Sequence, residues 1–134
     1  MKKSLLAFAF AVALSTTAFA AAPAALRLPS GVSVTVVQPG SGAQPTATDA
    51  VKVNYRGTLA NGTEFDNSAK HGGPATFRLN QVVPCFSQAL TQMKIGEMAK
   101  VFCPSSTAYG SRDLGVIPPN SDLNFDIELL DIVH

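Results

Sequence analysis

Two cysteines, two histidines and nine acidic side chains are the groups in this 134-residue chain that could attack, ligate or move a proton. Their spacing supports little covalent chemistry. There is no G-x-S-x-G elbow, no glycine fingerprint for a nucleotide, and one of the two histidines is the last residue, His134. The other, His71, falls in a glycine-containing loop and reads as a solvated side chain. Without C-x-x-C or H-x-x-x-H spacing no metal site is expected, nor a dithiol oxidoreductase, and no cofactor is implied. Cys85 and Cys103 are left as an even pair, for which an oxidising, exported compartment favours a disulfide between the start of the helix and the end of the following strand, two buried free thiols being the alternative. Closing a loop of that length is worth about 3 kcal/mol in the chain-entropy model. The remaining candidates are aromatic: Tyr55, Phe65, Phe77, Phe86, Tyr109 and Phe125. Taken singly, each is more naturally a core residue than part of a binding pocket.

The compartment is suggested by the N-terminus. Lys2 and Lys3 precede an apolar run from Leu5 to Leu14. At about ten residues this run is half what a bilayer span requires. Ala18-Phe19-Ala20 then places small residues where a signal peptidase reads, so residues 1–20 are expected to be a cleaved leader and the protein to be periplasmic. Residues 21–31, rich in Ala and Pro, read as a short tether, and residues 32–134 as one domain. Ten basic against nine acidic residues, with no run of one sign, offer no stripe for a phosphate backbone, so nucleic acid is not an expected partner. With 46% hydrophobic residues, nine Pro and ten Gly, neither a disordered chain nor a helical bundle fits.

The elements that must position the aromatic residues follow from periodicity. Val32, Val34 and Val36 alternate with Ser33 and Thr35, as in a half-buried strand. A second strand over Val51 to Leu59 turns at Asn61-Gly62 into a third through Phe65 and Asp66. Ala75 to Leu79 and Met98 to Cys103 are further strands, and Pro104 to Ser121 is an irregular loop. Between these strands Pro84 opens a helix whose stripe, Phe86, Ala89, Leu90 and Met93, predicts about three turns ending at Gly96. The last strand alternates through Leu123, Phe125, Ile127 and Leu129, then changes phase at Leu130 and Ile132, which predicts a bulge or a curved sheet. The expected class is α+β: a curled antiparallel sheet of about five strands wrapped over one short helix.

In order along the chain, V-K-V-N-Y-R-G-T-L-A-N-G-T-E-F-D at 51–66, Q-V-V-P-C-F at 81–86, A-Y-G at 108–110 and G-V-I-P-P-N at 115–120 resemble the FKBP family of peptidyl-prolyl cis-trans isomerases. The resemblance spans nearly all of the chain from Val32 to Val133. It implies a pocket walled by Tyr55, Phe65, Asp66, Phe77, Val82, Val83, Tyr109, Ile117 and Phe125, with Phe86 as its floor. It further implies that Tyr109 and the backbone N–H of Val83 donate to the substrate carbonyl while Asp66 shapes the field near the rotating amide. Asp66 could at the same time be a strand-end turn residue. Three positions depart from the family: Phe86 stands where Trp is usual, Cys85 where Gly is usual, and Ala75 where an aromatic is often found. Proline-containing polypeptides, with an apolar residue before the proline, are the implied substrates, and macrolide inhibitors possible ligands. A non-catalytic module or holdase using the same cleft is the alternative. Relatives that dimerise carry long helical arms, so a monomer is expected.

Overall fold

The computed structural model describes residues 25–133. The expected leader, residues 1–20, and the start of the expected tether lie outside them. Among the described residues, seven strands and one α-helix follow in order: β1 (Ala25–Arg27), β2 (Ser33–Gln38), β3 (Ala50–Leu59), β4 (Glu64–Asn67), β5 (Ala75–Arg78), α1 (Pro84–Leu90), β6 (Met98–Cys103) and β7 (Leu123–Val133). They form one antiparallel sheet in the order β1-β2-β6-β7-β3-β4, with β5 also paired to β3.

The expected class is the observed one, with two more strands than the rounded expectation of five. One is β1. Residues 25–27 belong to the stretch read as tether, yet they pair with Ser33–Thr35. The chain reverses through Pro29-Ser30-Gly31, where Gly31 has φ 95° and its N–H donates to the Leu28 carbonyl at 2.9 Å. All three residues of β1 are exposed, so no apolar alternation announced a strand. The other is a matter of rounding, since six strands were read one by one from the sequence; β4 and β5, both among them, share one edge of β3, β5 pairing with residues 50–53 and β4 with residues 56–58.

Alternation puts Val51 and Val53 of β3, Ala99, Val101 and Cys103 of β6, and Leu123, Phe125, Ile127 and Leu129 of β7 on the concave face, all buried. They enclose Phe86, Ala89 and Leu90 of α1. A seven-residue helix has almost no stability in water, so burial of this apolar face against the sheet is what holds it. A disulfide adds a covalent tie: Cys85 in the first turn of α1 is bonded to Cys103 at the end of β6, with Cα atoms 5.6 Å apart.

Regular helix ends at Leu90, earlier than the apolar stripe suggests. Beyond it the N–H groups of Gln92 and Met93 reach back only three residues, to Ala89 and Leu90, so the last turn tightens. Met93 is still fully buried, which is why its spacing looked helical. The predicted phase change in β7 is a bulge. Lys52 faces Asp131 and Val53 faces Leu129, leaving Leu130 as the extra residue that bends the sheet.

Candidate functional site

Where β4 leaves β3 and before β5 joins it, the edge of β3 at Tyr55 has no strand beside it. The buried Ser68 hydroxyl fills that gap, accepting from the Tyr55 N–H at 3.0 Å and donating to the Tyr55 carbonyl at 3.3 Å. Ser68 opens a 3-10 turn, Ser68–His71, which starts because the Asn67 side chain caps the Ala69 N–H and stops at Gly72 in the left-handed region. This turn holds the backbone of Tyr55 through Ser68 and brings His71 to Asp66.

Four elements bring aromatic rings to one point. Phe86 on α1 lies at the centre, with edge-on contacts to Tyr55 of β3 at 5.9 Å, Phe77 of β5 at 5.6 Å and Phe125 of β7 at 5.3 Å between ring centroids. Phe65 of β4 packs edge-on against Phe125 at 5.6 Å. Such contacts add roughly 0.5–1.5 kcal/mol per pair beyond burial. Gly57 on β3 is what admits Phe65, since a Cβ there would run into the rings of both Phe65 and Phe125.

Above Phe86 is a cavity of about 570 Å³ lined by Tyr55, Phe65, Asp66, Phe77, Gln81, Val82, Val83, Pro84, Phe86, Ala108, Tyr109, Arg112 and Phe125. Nine of the ten residues expected at the site are therefore together. Ile117 is the exception: it is buried in the core and does not line the cavity. Its carbonyl accepts from the Leu114 N–H at 3.0 Å, a tight turn that draws the side chain inward. Gln81, Pro84, Ala108 and Arg112 line the cavity without having been expected. Ala108 adjoins Tyr109 and so was within reach of the A-Y-G motif, whereas Arg112 is carried there by a turn in which its N–H donates to the Tyr109 carbonyl at 3.1 Å. Its guanidinium lies 5.8 Å from the centre of the Tyr109 ring.

The polar groups of the cavity divide into satisfied and available ones. Asp66 is satisfied: Oδ2 accepts from the Tyr55 hydroxyl at 2.6 Å, and Oδ1 accepts from the Asn67 N–H at 2.8 Å and lies 2.8 Å from His71 Nε2. Burial pushes its pKa up, but the bonds from Tyr55, His71 and Asn67 outweigh burial and hold the carboxyl below the usual range. Burial, and after it the bond to Asp66, pushes the Tyr55 hydroxyl well above its ordinary value, so it stays protonated and donates. By contrast the Tyr109 hydroxyl and the Val83 N–H have no hydrogen-bond partner among the described residues. The loop carrying Tyr109 is pinned at both ends, by the Ser105 N–H on Asp122 at 2.9 Å and the Asn120 N–H on the Gly110 carbonyl at 2.7 Å. His71, read as a solvated loop residue, is indeed mostly exposed, but its ring nitrogen touches the carboxylate of the cavity. Among the described residues no cluster of three or more His, Cys, Asp or Glu side chains is placed to hold a metal ion. A second hollow, about 540 Å³, lies on the outer face of the sheet among Asn54, Arg56, Lys100, Asp126 and Glu128. Its charges are engaged with one another, Lys100 with Asp126 at 2.9 Å and Arg56 with Asp126 at 3.8 Å.

Among the described residues, a curled sheet closed over one helix carries an aromatic cavity with two unused hydrogen-bond donors at its edge, a lining that suits a small apolar group next to a carbonyl. Comparison with known proteins specifies the family. Residues 41–130 match the family model of the FKBP-type peptidyl-prolyl cis-trans isomerases. The chain is 50% identical over 103 residues to the FKBP-type peptidyl-prolyl cis-trans isomerase FkpA of Aeromonas hydrophila, covering 77% of this chain and 38% of that protein. It is 43% identical over 111 residues to the outer membrane protein MIP of Legionella longbeachae, covering 82% and 48%. Among solved structures, FkpA from Escherichia coli superposes with a TM-score of 0.78 at 41% identity, over 90% of this chain and 56% of that one. A peptidyl-prolyl cis-trans isomerase from Pseudomonas syringae gives a TM-score of 0.78 at 32% identity, over 98% and 100%. The chain belongs to the FKBP-type peptidyl-prolyl cis-trans isomerase family. It spans less than half the length of the two curated relatives above.

Proposed function

We propose that the protein accelerates rotation about X-Pro bonds in folding exported polypeptides, with the proline ring seated on Phe86. The observation that carries this reading is the pairing of an aromatic floor with two donors at the rim, the Tyr109 hydroxyl and the Val83 N–H, that no other described residue engages. The planar prolyl amide is stabilised by charge-separated resonance, and the barrier to rotation of an amide is about 18–20 kcal/mol. The twisted amide has lost much of that charge separation. Replacing water around it by aromatic surface favours the twisted form over the planar one, and each 1.36 kcal/mol of that preference is about tenfold in rate. Tyr109 and Val83 hold the substrate carbonyl, and Asp66, fixed by its three contacts, supplies a constant field beside the amide. No covalent intermediate or cofactor enters this scheme.

The aliphatic side chains of Val82 and Val83 at the rim suit an apolar residue before the proline. The same cavity would take a macrolide inhibitor, with less aromatic area from Phe86 than a tryptophan would offer. A periplasmic setting is supported by the leader pattern in residues 1–20 and by the Cys85–Cys103 disulfide, and a monomer is the state we infer. The test is refolding of a protein whose slow phase is proline-limited. The slow phase should speed up at enzyme far below the client concentration. Acceleration only at equal concentrations would assign the cleft to a holdase instead.

A further inference from the structure

Among the described residues, Asp66 is the one carboxylate lining the cavity. Two of its three contacts are donors that keep their protons throughout the physiological range, the Asn67 backbone N–H and the Tyr55 hydroxyl. The third is an imidazole. A neutral imidazole holds its 2.8 Å contact with Oδ1 only when the proton is on Nε2; in the other tautomer a ring lone pair faces the carboxylate and the contact is repulsive. A protonated ring donates from Nε2 at all times, and as a charge-assisted bond.

We propose that His71 is a positioning residue whose protonation locks the Asp66 carboxylate in place, so that isomerase activity is greater with the ring charged than with it neutral. The proposal rests on the isomerase reading above, and adds to it a pH dependence specific to this chain. Its physical route is the hydration of the cavity. Without a donor on Nε2, Oδ1 keeps only the Asn67 N–H at 2.8 Å, and water drawn to its remaining lone pair must be removed again when an apolar proline ring enters. With the imidazolium in place, Oδ1 has a charge-assisted donor as well as the Asn67 N–H, while Oδ2 keeps the Tyr55 hydroxyl.

Other charges do not blur the effect. The elements packed against the Ser68–His71 turn are β3 and β4, whose titratable groups are Lys52, Tyr55 and Arg56 on the one and Glu64 and Asp66 on the other. Glu64 is held by Arg56 at 2.6 Å and by Lys70 of the turn at 2.7 Å. Among the described residues the ring of His71 pairs with Asp66 alone. The titration window is also sparsely populated, since the chain has two histidines and both cysteines are in the disulfide.

The experiment measures kcat/KM between about pH 5 and pH 8 on a peptide with an apolar residue before proline and no ionisable side chain. The wild type, His71→Arg and His71→Ala are compared, each checked for unchanged thermal stability, as expected for a side chain 66% exposed. Wild-type kcat/KM should fall about two- to fivefold in one step as pH rises, the range an exposed charge pair supports. His71→Arg should stay high and flat, and His71→Ala low and flat. An active wild type with a flat profile or a step that persists in His71→Ala overturns the proposal. A wild type inactive at every pH instead removes the isomerase reading, and this proposal with it.

Discussion

At the scale of single residues the cavity depends on Phe86, whose ring is the common neighbour of Tyr55, Phe77 and Phe125. Phe86→Ala should cost about 3–5 kcal/mol in denaturant unfolding, because a 5% exposed ring leaves a hole that three other rings cannot all close upon. An unchanged midpoint would contradict its place in the core. Glu97 is a different case. It is buried; one carboxylate oxygen accepts from the Lys94 N–H at 3.3 Å and the other has no hydrogen-bond partner among the described residues. Burial raises its pKa, and the Lys94 N–H offsets only part of that. The folded state thus binds this proton more tightly than the unfolded one, so stability should fall as pH rises from the unfolded value, about 4.3, through the raised one. Glu97→Gln should flatten that slope and raise Tm at neutral pH, and thermal unfolding from pH 4 to 7 reads both. Most cavity residues were legible because aromatic side chains in fixed order along the chain resemble a known family. His71 and Arg112 were not, since each arrives through a turn whose geometry depends on hydrogen bonds to residues on either side.

At the scale of elements, the turn and bulge chemistry was visible and the edges were not. Asn61-Gly62 announced its hairpin, with Gly62 at φ 89°, and the phase change at Leu130 announced the bulge. The extent of α1 was overstated because the buried Met93 continues the helical spacing past the last i→i−4 bond. The β3–β4 pair offers a direct test of how an element shapes the site. Gly57→Ala puts a methyl into Phe65 and Phe125, which should cost about 1–3 kcal/mol and displace the Phe65 wall, lowering kcat/KM along with Tm. A variant with wild-type activity would show that Phe65 is dispensable to the cavity. The disulfide joins α1 to β6 over a sequence separation of 18. Reduction should lower stability by about 3 kcal/mol, compared by denaturant unfolding with and without reductant; coincident curves would mean the bond adds nothing to the fold.

At the scale of the whole molecule, alternation along the strands predicted a sheet with one buried face, and that face, closed by α1, is the core. β1 escaped because an edge strand with every residue exposed carries no hydrophobic period. The division of faces is also a division of function in this account. The concave side offers aromatic surface and unused donors, whereas the convex side presents ion pairs such as Lys100 with Asp126. NMR exchange spectroscopy on a short peptide with an apolar residue before proline, at protein far below peptide concentration, tests that division and the catalysis together. The account predicts cis-trans exchange peaks that are absent without protein, and shift changes in the protein confined to Tyr55, Phe86, Tyr109 and their neighbours. No exchange at any protein concentration, or shift changes centred on Lys100 and Asp126 of the outer face, would contradict it.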